Sequence, residues 1–160
     1  MKTTKKVMSI VLTALMTSGF AMAQKANVKG AEKIADKKGD YNEARALIKA
    51  ALENEETKGD PKTMYVAGYV EESNFTNENV KPDRAQMNKA LLDMFGYYMG
   101  TIDMETAANG GSTTPGKYGK KIKDAFSNNF LYFINAGGYY MEKQNYKEAL
   151  RAFSAFKQIK

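Results

Sequence analysis

The chain has 160 residues, 43% hydrophobic and 26% charged, enough for one well-filled core and too short for two. Histidine and cysteine are both absent, which excludes histidine-based triads, thiol nucleophiles, the usual zinc ligand sets and any disulfide framework. The net charge of +6 is concentrated in part at the N-terminus, so it is a poor guide to a polyanionic partner.

Lys2, Lys5 and Lys6 precede the uncharged stretch from Val7 to Phe20 and the small-x-small triplet Ala21-Met22-Ala23. A basic n-region, a short apolar h-region and a cleavage site are the three parts of a signal peptide, with removal expected after Ala23. A membrane-spanning anchor needs roughly 18 or more apolar residues, and Ser9, Thr13, Thr17 and Ser18 interrupt this run. No cysteine stands near the cleavage site to take a lipid. The mature chain, 24–160, is therefore expected in the periplasm or outside the cell, without stable membrane insertion. Cleavage removes three of the 24 basic residues and none of the 18 acids, leaving +3. So small an excess argues against a nucleic acid partner.

Val28, Ala31, Ile34 and Ala35 recur at helical spacing, Gly39-Asp40 breaks the pattern, and Tyr41, Ala44, Leu47, Ile48 and Ala51 resume it. Asp60 and Pro61 open a third helix as N-cap and first-turn residue, with Met64, Ala67 and Gly68 on one side. After a polar stretch from Ser73 to Lys81, Pro82-Asp83 starts a fourth helix. Its stripe is Met87, Ala90, Leu91, Met94, Tyr97 and Tyr98, and it is expected to end near Met104. Residues 107–119, rich in glycine with Pro115 and Ser112-Thr113-Thr114, read as a flexible loop. Ile122, Phe126, Phe130, Phe133, Gly137 and Tyr140 then mark the strongest periodicity in the chain. Gln144-Asn145 turns it, and Tyr146, Ala149, Leu150, Phe153 and Phe156 form the last helix. No stretch alternates with period two, so the predicted fold class is all-α.

Two segments match each other: Gly39-Asp40-Tyr41-Asn42-Glu43-Ala44 and Gln144-Asn145-Tyr146-Lys147-Glu148-Ala149. Phe133, Ala136, Gly137, Tyr140, Tyr146, Ala149 and Phe153 follow the spacing of a tetratricopeptide unit. With Gly116-Lys117-Tyr118-Gly119-Lys120-Lys121-Ile122 ahead of that unit, the chain resembles the secreted tetratricopeptide proteins of Bacteroidetes-type bacteria. The resemblance implies antiparallel helix pairs stacked as a short right-handed solenoid of about three irregular units. Small residues would sit at close helix approaches: Ala44 in the first unit, Gly68 and Ala90 in the second, Gly137 and Ala149 in the third. Ala44, Ala90 and Ala149 lie 46 and 59 residues apart against a family repeat of about 34, so each interval must hold an insertion.

The resemblance implies a protein or peptide partner and no catalysis or cofactor. In that family the first helix of each pair lines the concave surface, which makes Tyr65, Tyr69, Ile134, Gly138 and Met141 the candidate partner-binding groove. Phe153 and Phe156 are the candidate C-terminal packing edge. Burying both would be worth on the order of 3 to 6 kcal/mol; a continuing array, self-association through the last helix, or the early helices folding back could each cover them. A glycan or other small ligand on a tyrosine-lined groove is the alternative function. In Tyr97-Tyr98 and Tyr139-Tyr140 one ring should face the core and its neighbour the edge. Gly111 to Lys117 has P-loop spacing, but Tyr118 stands where magnesium needs a hydroxyl and no strand precedes it. The carboxylates Glu53, Glu55 and Glu56, and Glu71 and Glu72, read as solvated helix ends.

Overall fold

The computed structural model describes residues 22–77, 83–112 and 114–159. The proposed signal peptide through Ala21 and the polar stretch 78–82 lie outside them. The fold is all-α: a first helix, α1, at 22–36, then α2 (Tyr41–Glu53), α3 (Pro61–Phe75), α4 (Arg84–Ala108), α5 (Gly119–Glu142) and α6 (Tyr146–Ile159). No described helix is long and apolar enough to cross a membrane.

The N-cap expected at Asp60 is present, and Asp40 and Asp83, expected only as a break and a helix start, cap α2 and α4 in the same way. Asp40 accepts from the backbone N–H groups of Asn42 and Glu43, Asp60 from that of Lys62 ahead of Pro61, and Asp83 from that of Ala85. Each satisfies donors that a helix N-terminus leaves open. Three helix ends share one closure, in which the N–H groups of a left-handed residue and its successor return to carbonyls three and five residues back. Lys38, Gly110 and Gln144 hold that left-handed position, with φ of 51°, 65° and 56°. The left-handed residue precedes the capping residue by two positions at Lys38 and Asp40 and by one at Gln144 and Asn145, so the two matched sequence segments turn one residue out of register. Two of the three closures place a side chain where glycine is preferred.

Consecutive helices pack as pairs through small residues. Gly30 of α1 faces Leu47 of α2, Gly68 of α3 faces Tyr98 of α4, and Gly137 of α5 faces Phe153 of α6. The anticipated close-approach positions Ala44, Gly68, Ala90, Gly137 and Ala149 are all buried. Aromatic rings join one pair to the next: Phe95 and Tyr98 of α4 meet Phe126 of α5 at 5.3 and 5.9 Å, and Phe75 of α3 meets Tyr132 edge-on at 5.0 Å. Such contacts add about 0.5–1.5 kcal/mol each beyond the area they bury.

Four expectations need correction. Helix α4 runs past Met104 to Ala108, and α5 begins at Gly119, three residues before Ile122. The loop is shorter than 107–119, and its C-terminal end is fastened: Tyr118 is buried and donates its N–H to Glu105 Oε1 at 3.1 Å. A carboxylate from α4 thereby caps α5, which has no side-chain cap of its own, at the end where the helix dipole favours negative charge. On α6 the buried residues are Ala149, Ala152 and Ala155, while Tyr146 and Leu150 stand exposed; the side chain that meets Gly137 is the ring of Phe153.

The fourth concerns Glu71 and Glu72, which are no solvated helix end. Helix α3 is packed against both α2 and α4, so polar positions on its flanks fall inside. Glu71 receives a bidentate pair from Arg45 of α2, Nε at 2.7 Å and Nη2 at 2.5 Å, and its side chain is 8% exposed. Glu72 accepts from Tyr98 Oη at 2.5 Å.

Candidate functional site

A cleft of about 360 Å³ opens along α1, α3 and α5, the first helix of each consecutive pair. Helix α1 contributes Glu32 and Asp36, one turn apart on one face; α3 contributes Tyr65, Tyr69 and Glu72; α5 contributes Lys121, Asp124, Ala125 and Asn128. The spacings of three and four within each helix point the set in one direction.

Tyr65 and Tyr69 form the floor. Their rings are parallel within 3° with centroids 6.3 Å apart, and Tyr65 also stacks on Tyr118 at 4.3 Å and Tyr98 at 5.7 Å. Tyr65 is 7% exposed, so it is as much a core residue as a lining one. Tyr69 is half-buried and donates from Oη to Asp36 Oδ1 at 2.8 Å, tying α3 to α1. Glu32 makes a second tie, to Lys62 Nζ at 2.9 Å.

The electrostatics follow from this packing. Burial, with the negative charge of Glu72 behind it, pushes the Tyr65 phenol up to about 12. Burial and the hydrogen bond to Asp36 push Tyr69 up to about 12 as well. Tyr98 is raised further still, mainly by burial and then by Glu72. Burial raises Glu72 itself, partly offset by the Tyr98 hydroxyl. The phenols therefore stay neutral at any physiological pH. Lys121 Nζ stands 5.8 Å from the Tyr65 ring centroid, within the range of a cation–π contact. Among the described residues no group of three or more acidic side chains is arranged to hold a metal ion.

Of the five groove residues expected from the sequence, Tyr65 and Tyr69 lie in this cleft; Ile134, Gly138 and Met141 do not. The part of α5 that reaches the cleft is its N-terminal half. At about 100° per residue, the six steps from Asn128 to Ile134 turn the side chain well away from the cleft face. Ile134 and Met141 fall instead on the stripe of Phe130, and all three are exposed. With Leu150 and Phe153 on α6 they give the last pair an apolar outer face. Within the expected C-terminal edge, Phe153 is 40% exposed with its ring over Gly137, while Phe156 is half-buried and stacks on Phe130 at 6.0 Å. Helix α5 thus packs against both rings and leaves Phe153 the more exposed of the two.

The tyrosine pairs divide as expected. Tyr98 and Tyr140 are buried, and Tyr97 and Tyr139 lie at the edge, where Arg84 and Lys143 approach Tyr139 at 5.1 and 6.0 Å. The acidic lining of the cleft was missed. Its signal is the run Lys121, Asp124, Asn128, a polar stripe on α5 away from the aromatic one. No family model, curated protein or solved structure matches the chain.

Proposed function

We propose that the chain is an exported, non-enzymatic adaptor of tetratricopeptide type, which holds a polypeptide segment in the cleft along α1, α3 and α5. One observation carries this reading: the cleft draws its lining from the first helix of each consecutive pair, the set that forms the concave binding surface in tetratricopeptide arrays. Export rests on the basic, apolar and small-x-small succession through Ala23, and places the partner in the cell envelope or beyond.

A photo-crosslinking residue at Asn128, in the cleft, and separately at Leu150, on the outer face of α6, tests the assignment in the native envelope. A reproducible polypeptide adduct at 128 and none at 150 supports it. Adducts at 150 alone, or at neither position, would overturn it.

A further inference from the structure

The charge of the cleft is opposite to that of the chain. Four carboxylates, Glu32, Asp36, Glu72 and Asp124, line it with the ammonium of Lys121, in a protein of net charge +6, or +3 without residues 1–23. Among the described residues, Glu32 alone has its charge balanced from outside the lining, by Lys62. Asp36 and Glu72 each accept one phenol hydroxyl, from Tyr69 and Tyr98. A carboxylate has about four acceptor positions, so each keeps capacity for a further donor. Asp124 is exposed.

The floor has the complementary property. Neutral tyrosine rings present a negative face, and the chain already places a cation of its own by one of them, Lys121 by Tyr65. We propose, resting on the adaptor reading above, that the cleft selects a basic segment and seats one arginine or lysine side chain over Tyr65 and Tyr69, with its donors on Asp36, Glu72 and Asp124. Lys121 is then the internal occupant that the incoming cation displaces. An acidic segment would meet four carboxylates, and a neutral one would leave their charge uncompensated.

The assignment gives Lys121 a sign that separates it from an anion site. Were the ligand acidic, Lys121 would be its main attraction; for a basic ligand, Lys121 is a competitor. Both Lys121 and Asp124 are exposed, so their substitution leaves the fold intact, which helical circular dichroism checks.

Random phage-displayed peptides selected on the full-length chain, then measured by fluorescence anisotropy on variants, test the proposal. Selected peptides should be enriched in arginine or lysine, bind about two- to fivefold tighter to Lys121→Met and bind more weakly by a similar factor to Asp124→Asn. Enriched peptides without basic residues, or basic peptides indifferent to both variants, would overturn the basic-segment proposal and leave the adaptor reading standing. Selection of no peptide at all would count against both.

Discussion

Three helical glycines make a graded test of the packing between paired helices. A Cβ on Gly68 would come within 2.5 Å of Tyr98 Cε1, where ordinary contact begins at 3.4 Å. Tyr98 is 1% exposed and cannot retreat, being held by the Glu72 hydrogen bond and by the rings of Tyr65 and Phe126. A Cβ on Gly137 would approach Phe153 Cζ at 2.6 Å, but that ring is partly exposed at the surface and can swing outward. A Cβ on Gly96 would meet nothing within 4 Å. Glycine to alanine inside a helix gains about 1 kcal/mol from propensity alone, and overpacking a rigid site costs about 1–3 kcal/mol. Gly96→Ala should therefore raise the unfolding free energy by nearly the full propensity term, and Gly137→Ala should fall between the other two. Gly68→Ala should lie about 1–3 kcal/mol below Gly96→Ala. Urea denaturation followed by helical circular dichroism measures all three. Equal stabilisation by Gly68→Ala and Gly96→Ala would refute the close packing of α3 on α4.

Further outcomes follow from single contacts. Arg45→Ala strands the buried Glu71 and should cost about 1–3 kcal/mol, less than breaking a fully buried pair because Arg45 is itself 39% exposed; Arg45→Met with Glu71→Met should recover most of that in the same denaturation assay. Lys38→Gly and Gln144→Gly relieve left-handed backbone and should each stabilise by about 0.5–1 kcal/mol, seen as later urea midpoints. Tyr65 and Tyr69 titrate near 12 in the fold against 10 when exposed, so folding holds their protons more tightly. Their contribution is complete below pH 10 and should be lost as pH rises from 10 through 12, with urea midpoints falling while tyrosinate absorbance grows. Flat midpoints across that window would contradict the burial of the two rings.

What could be read from the sequence was local or periodic. Asp60 could be read as a cap because one short side chain and a backbone turn suffice, and the 3.6-residue period places Ile122, Phe126, Phe133, Gly137 and Tyr140 inside, while Phe130 on the same stripe is 37% exposed. The small residues at Gly68 and Gly137 could be placed because only their size permits the approach. Partners far apart in sequence could not be. Arg45 and Glu71 are 26 residues apart, as are Tyr98 and Glu72, and no spacing rule brings them together, so two structural carboxylates looked like surface ones. The same blindness shaped the site. Tyr65 and Tyr69 were found, but Asp36, Glu72 and Asp124 reach the cleft only through the arrangement of three helices. Ile134 and Met141 were misplaced because the cleft uses only the first turns of α5, and the six further steps to Ile134 turn its side chain away from the cleft face.

The central claim is that a polypeptide lies along the first helices of the three pairs. The most direct measurement is a map of backbone amide shifts on the isotopically labelled chain, with and without a peptide selected on it. Perturbations clustered at Asp36, Tyr69, Lys121, Asp124 and Asn128 are the predicted result. Perturbations confined to Ile134, Met141, Leu150 and Phe153 would move the binding surface to the outer face of the last pair and contradict the claim.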